Sequence, residues 1–252
     1  MTRIVMHGCN GRMGKVISEL AKDADDLAIT AGVDVAAGSD QGYPVFSDIS
    51  EVDPDTADVV IDFSRADTTD HLLDICRERN WPLVLCTTGL SEDTLEHMKK
   101  VSSSIAVLRS ANMSVGVNVM MKLLREASPA LKAAGFDIEI VEKHHNQKLD
   151  APSGTAIALA ECINSSLPEK EDFVYDRSTR REKRPAGEIG ISAVRGGTIV
   201  GDHDVIFAGL DEVITISHRA YSRSIFAKGA LEAARFLAKK PAGMYDMGDV
   251  IG

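Results

Sequence analysis

His144, His145 and Lys148 fall within five residues of one another, and Ser153-Gly154-Thr155 follows five residues later. An imidazole can give or take a proton near neutrality, and a lysine ammonium adds a compact positive charge with three donors. Ser-Gly-Thr at the start of a helix adds backbone N–H groups and about half a positive charge, so a carboxylate or phosphate is the expected guest. A lone histidine is more often structural, and a lone lysine is usually a solvated charge. Clustered cations are different, because without an anion they repel one another. The stretch therefore points to proton transfer beside an anion-binding site.

Two elements must position these groups. Residues 136–141 read as a half-buried strand, with Ile138 and Ile140 alternating with acidic or outward-facing neighbours. Ala156, Leu159, Ala160, Ile163 and Leu167 recur at helical spacing, with Ser153 as the cap and Pro152 keeping the preceding residue extended. Adjacent histidines on a strand point to opposite faces, so only one projects straight into a shared site unless the strand ends there.

The amino-terminal half has a different pattern. A short apolar strand at residues 4–6 runs into Gly8-Cys9-Asn10-Gly11-Arg12-Met13-Gly14, then a helix with Met13, Val16, Ile17, Leu20 and Ala24 on one face. Strand, glycine-rich turn and helix in that order open dinucleotide-binding folds, although a plain strand-to-helix loop looks similar. Asp34, at the end of the second strand (27–33) and twenty residues after Gly14, adds weight, because an acid there binds a ribose 2′-hydroxyl. Val35 follows it, so no arginine sits beside it for a 2′-phosphate, which favours NADH over NADPH. Strands at 59–62, 83–86 and 105–108 alternate with helices at 67–78 and 91–101, implying a parallel sheet covered on both faces. Asp62-Phe63-Ser64, Cys86-Thr87-Thr88-Gly89 and Ser110-Ala111-Asn112-Met113 fall at the carboxyl ends, where such sheets bind ligands.

After Asn112 a long helix is expected over 115–133. Strand-like runs at 188–195, 199–208 and 213–220 are separated by Gly196-Gly197 and Gly209-Leu210-Asp211. Turns that short join antiparallel neighbours, so an open antiparallel or mixed sheet is expected. Helices would cover one face, and water or another subunit the other, which suggests an oligomer. The basic stretch 177–185 reads as a solvated or substrate-covering loop. A last helix at 224–238 would return to the first domain. The fold class is α/β: a Rossmann-type dinucleotide-binding domain (1–114 and 224–252) and an α+β domain (115–223), with Arg223 at the hinge as a candidate substrate contact.

With 252 residues, 44% hydrophobic and 26% charged, the chain has the composition of an ordinary globular protein. Its net charge of −10 argues against nucleic-acid or membrane-surface binding, so an anionic ligand needs a local positive site. Cys9, Cys76, Cys86 and Cys162 show no paired spacing, consistent with free thiols in a reducing cytoplasm, and no metal site is expected. No membrane span or signal peptide is read.

Together the Gly8 to Gly14 turn with Arg12-Met13, the Thr87-Thr88-Gly89 step, the run from Ala111 to Asn118 and above all the stretch from Glu142 to Ala156 resemble the dihydrodipicolinate reductase family of the diaminopimelate and lysine pathway, over nearly the whole chain. The resemblance implies an NADH- or NADPH-dependent reduction of a small cyclic dicarboxylate. His144 would be the proton donor or acceptor and Lys148 the second proton-donating residue. His145, Ser153, Gly154 and Thr155 would contact substrate. Gly8, Cys9, Asn10, Gly11, Arg12, Met13, Asp34, Cys86, Thr87, Thr88, Ser110, Ala111, Asn112 and Met113 would hold the nucleotide. It also implies a homotetramer through the carboxy-terminal sheet. Asn10 and Cys86 stand where many members have glycine, Met113 where many have phenylalanine, and Val35 in place of an arginine. The alternatives are another two-domain dehydrogenase, such as one acting on aspartate, or a non-catalytic nucleotide-sensing protein.

Overall fold

The structure is a computed structural model and describes residues 1–36 and 41–252. It divides into two compact units, Met1–Val115 with Ser224–Gly252, and Gly116–Arg223.

The first unit begins with β1 (Thr2–His7), α1 (Arg12–Lys22), β2 (Leu27–Val33), β3 (Val45–Phe46), β4 (Val59–Asp62), α2 (Thr69–Glu78), β5 (Leu83–Leu85), α3 (Glu92–Val101) and β6 (Ala106–Leu108). The second contains α4 (Val115–Ala133), β7 (Asp137–His144), α5 (Gly154–Ser166), β8 (Asp172–Val174), β9 (Glu188–Arg195), β10 (Gly201–Ala208) and β11 (Val213–Ala220). The chain then returns to the first unit as α6 (Ser224–Leu237), β12 (Gly243–Tyr245) and α7 (Met247–Ile251).

Seven strands of the first unit form one parallel sheet in the order β12-β6-β5-β4-β1-β2-β3. Both faces are covered, so alternate residues of one strand enter different cores. Ile4, Met6, Val59 and Ile61 meet α1 and α6, while Val5 and Val60 meet α2 and α3. That two-sided burial is why these strands read as unbroken apolar runs. The order reverses across β1, between β2 and β4, where a doubly wound sheet opens a crevice at the strands' carboxyl ends.

The second unit is a mixed sheet, β11-β10-β7-β9-β8, with α4 and α5 packed on one face against Ile138, Ile140, Ile189, Ile191, Val205 and Phe207. Neighbouring strands keep this inward row in register. Ile138 pairs with Phe207 and Ile189, Ile140 with Val205 and Ile191, Glu142 with His203 and Ala193, and His144 with Arg195.

Three expectations are corrected. Strands β9 and β10 are not neighbours. Strand β7 lies between them, parallel to β9 and antiparallel to β10. The link at 196–200 passes the end of β7, Gly196 N–H donating to the His144 carbonyl (2.9 Å) and Asn146 N–H to the Gly197 carbonyl (3.2 Å). The basic loop is largely exposed, as expected, but its arginines are pinned, and on the face away from His144 rather than over it. Arg177 and Arg184 pair with Glu139, Glu188 and Asp137 on the opposite face, and Gly190 leaves the room for this, since a Cβ there would meet the Glu139 carboxylate. Finally, β3, β8, β12 and α7 were not expected, and β10 starts at Gly201 rather than residue 199.

Candidate active site

In the second unit the site is built around the last inward-facing pair of β7. Glu142 is fully buried and accepts four hydrogen bonds, from Arg195 Nη1 and Nη2 (2.8 and 2.7 Å), His144 Nδ1 (2.6 Å) and Ser153 N–H (2.9 Å). Burial alone would push this carboxyl up. The Arg195 guanidinium, the His144 ring and the Ser153 amide outweigh it and hold the group below the usual carboxylate range. A carboxylate only accepts, so Nδ1 of His144 carries a hydrogen and Nε2 is the atom left to exchange a proton. Gly201 lies against that atom, since a Cβ there would stand 3.0 Å from Nε2.

Strand β7 ends at His144, and His145 begins a turn closed by Lys148 N–H donating to the His145 carbonyl (3.2 Å). The Lys148 ammonium lies 2.9 Å from the exposed Asp150, whose carboxyl is held low chiefly by that contact. Ser153 caps α5 by accepting the Ala156 N–H, and Gly154 is exposed with open space where a side chain would be. His203, on β10, completes the cluster. Its Nε2 is 2.9 Å from Ser153 Oγ, and its ring stands edge-on to His144 with centroids 5.2 Å apart. Burial and the His144 neighbour push His203 down to about 4. Arg223 is exposed at the last residue of this unit.

In the first unit the glycine-rich turn has the geometry a dinucleotide requires. Gly8 has φ of +83°, and a Cβ on it would lie 2.5 Å from the Phe63 carbonyl. A Cβ on Gly14 would lie 2.3 Å from the Gly8 carbonyl, so neither position admits a side chain. Gly11 precedes α1, and no side chain caps its first turn, which Arg12 and Met13 open. The Asp34 carboxylate accepts from Asn10 N–H (3.0 Å) and Ala36 N–H (3.1 Å), and the Asn10 amide donates to the Ala36 carbonyl (2.7 Å). Asn10 thus ties the glycine turn to the end of β2. A cleft of about 330 Å³ opens here, lined by His7, Gly8, Gly11, Asp34, Ser64 and Arg65 among others.

Gly8, Gly11 and Asp34 line this cleft, but not every expected nucleotide residue turns its side chain outward. Cys9 is buried against Gly32, Met13 packs on the core, and Met113 is inside it, which leaves their backbones as the groups able to meet a nucleotide. The Cys86 thiol is pushed well up by burial and by Asp62. Thr87 Oγ1 accepts from Ser64 N–H (3.0 Å), lacing two loops together, while Thr88 and Ala111 are exposed and Ser110 is half-buried. Asn112 is buried and accepts from Ser114 N–H (2.8 Å) at the start of α4. The fit to a nicotinamide nucleotide rests on the side-chain-free turn, the uncapped helix and Asp34 in the cleft.

Several residues were not singled out from sequence. Glu142 shares a face with His144 two residues on, a spacing visible in the chain. Arg195, His203 and His7, which pairs with the expected Asp62 (2.7 Å), carried no local signal, because strand pairing brings them to their partners.

The chain matches the family models described as dihydrodipicolinate reductase, N-terminus, over residues 2–113, and dihydrodipicolinate reductase, C-terminus, over residues 116–251. It is 53% identical over 251 residues to a 4-hydroxy-tetrahydrodipicolinate reductase of Caldanaerobacter subterraneus subsp. tengcongensis, covering 100% of this chain and 98% of that one. The corresponding protein of Clostridium tetani is 51% identical, covering 98% and 96%. A solved dipicolinate-bound dihydrodipicolinate reductase from Paenisporosarcina sp. TG-14 has the same fold, with TM-score 0.81 and 24% identity over 98% of this chain and 97% of that one. This chain belongs to the dihydrodipicolinate reductase family.

Proposed function

We propose that this chain reduces dihydrodipicolinate, formed by loss of water from 4-hydroxy-tetrahydrodipicolinate, to tetrahydrodipicolinate in diaminopimelate and lysine biosynthesis, with a nicotinamide nucleotide as reductant. The observation that carries the reading is the Glu142–His144 pair beside the capped start of α5, in a chain whose full-length relatives carry that name. The bound nicotinamide supplies a hydride to a ring carbon of the conjugated C=C–C=N system. This chain's residues handle the charge and the proton. Electrons move towards the ring nitrogen, and His144 Nε2 delivers the proton while Glu142 holds Nδ1–H and stabilises the ring. Lys148, His145 and the amides of Gly154 and Thr155 take the carboxylates, with substrate displacing Asp150 from Lys148. Positioned acid catalysis of this kind is worth roughly 10² to 10⁴ in rate.

Asp34 is the reason to favour NADH, because its carboxylate suits a ribose hydroxyl and repels a 2′-phosphate, and no cation stands at Val35. The exposed Val213 and Ile214 on the edge strand β11 support a homotetramer formed through this sheet. The four cysteines are free thiols, in keeping with the cytoplasm, and among the described residues no helix is long and apolar enough to cross a membrane.

Steady-state absorbance at the nicotinamide band, with enzymatically generated substrate and each nucleotide in turn, tests the reading. His144→Gln should lower turnover by roughly 10² or more while NADH binding stays within twofold. Equal loss of both, or nucleotide binding without any oxidation in the unaltered chain, overturns it.

A further inference from the structure

Two groups meet at one oxygen on Ser153. Its Oγ accepts the Ala156 N–H at 3.2 Å as the cap of α5, and it lies 2.9 Å from Nε2 of His203. His203 is only 4% exposed, and its other ring nitrogen, Nδ1, is buried with no hydrogen-bond partner. Burial and the adjacent His144 keep the ring neutral at ordinary pH, so it has one N–H and one lone pair. If Ser153 donated to Nε2, the ring hydrogen would sit on Nδ1, a buried donor facing no acceptor. If Nε2–H donates to Ser153, Nδ1 keeps only a lone pair. A buried unpaired N–H is the rarer and costlier of the two, so the surroundings select the second arrangement.

The consequence falls on the serine. Its oxygen then accepts from both Ala156 and His203, and its own hydrogen is left for a third group. Beside it Gly154 is exposed, with no atom within 4 Å of where its Cβ would be. We propose that His203 is a positioning residue that acts through Ser153, committing the serine hydroxyl as a donor to a carboxylate bound at the start of α5. The inference rests on the dicarboxylate reading above.

The probe is dipicolinate, titrated calorimetrically into the full-length chain, with NADH binding and thermal melting as controls for folding. His203→Leu should weaken dipicolinate roughly tenfold, the effect of losing one hydrogen bond's bias. His203→Gln, whose side-chain amide can reach the position of Nε2, should stay within about twofold. His203→Asn is too short to reach Ser153 and should behave like leucine, which keeps the test open if the leucine variant does not fold. Adding His203→Leu to Ser153→Ala should cost nothing beyond Ser153→Ala alone. Equal affinity in all three His203 variants, an equal loss in the glutamine variant, or additive losses in the double variant overturns the inference and leaves the dicarboxylate reading intact. Failure of the unaltered chain to bind dipicolinate overturns both.

Discussion

Replacing Glu142 by Gln tests the core of the site, because it removes one charge and keeps the shape. Four donors converge on this carboxylate. An amide can accept only at its oxygen, so its NH2 group must face at least one of them, donor against donor. Breaking a fully buried ion pair costs about 3–5 kcal/mol. The Arg195 side chain is 21% exposed and keeps some solvation, which lowers the expected loss to about 2–3 kcal/mol. For a chain of this size that is a drop of roughly 5–10 °C in melting temperature. The effect on rate has a separate origin. The charge-assisted bond holding hydrogen on His144 Nδ1 is worth about 1.5–3 kcal/mol, and losing it in the transition state lowers kcat roughly 10- to 150-fold. The assay is steady-state oxidation of NADH by the folded variant well below its melting temperature, with the NADH dissociation constant measured by fluorescence. The nucleotide constant should hold, because Glu142 belongs to the second unit and the glycine turn to the first. A variant that folds and turns over within twofold of the unaltered chain, or one that loses only nucleotide affinity, refutes the role given to Glu142.

Gly201→Ala should lower kcat roughly 10²-fold with little effect on melting, because the new methyl would press on His144 Nε2 while Glu142 holds the other side of the ring. Near-normal turnover in that variant would show that Nε2 is not the exchanging atom. His203 titrates at about 6.5 in the unfolded chain and about 4 in the folded one, so between those values the unfolded chain binds the extra proton. Stability should therefore fall by about 3 kcal/mol as pH drops from 6.5 through 4, with no such loss above 6.5. Denaturant titrations across that range should show a shallower decline in His203→Gln, and an identical decline would remove His203 as its source.

The parts of the fold that were legible are those where burial imposes a period. Strands covered on both faces, such as β5 and the Val59–Ile61 run of β4, must be apolar along that length, and the helices between them must carry one apolar stripe. Strands β3 and β12 have two and three residues, too few for any period, and exist because β2 and β6 offer them partners. The error over β9 and β10 came from treating a short link as a hairpin. Five residues suffice to step past one strand when that strand's end satisfies their backbone, as His144 and Asn146 do. The anchoring of the basic loop was hidden for a similar reason, because the carboxylates that hold Arg177 include Glu139, 38 positions away. In the candidate site, the histidines, Lys148 and Ser153 were visible as a local cluster, whereas Arg195 and His203 reach it only through strand pairing.

Glu142 shows why the two kinds of information meet at β7. Every second residue from Ile138 to His144 faces the helices, and the row changes from two isoleucines to an acid and an imidazole as it nears the start of α5. A buried carboxylate without partners would cost far more than an isoleucine in its place contributes. The row can end in Glu142 only if Arg195 arrives from β9 and the Ser153 amide arrives from the cap of α5. Both are supplied by the same tertiary assembly that buries Ile138 and Ile140. The orientation of His144 is therefore a product of folding the second unit as a whole. A slip of one residue in the β7 register would exchange Ile138, Ile140, Glu142 and His144 for Glu139, Val141, Lys143 and His145, burying an acid in the apolar row and a cation beside Arg195, so the apolar core that fixes the register also fixes which histidine turns inward beside Glu142.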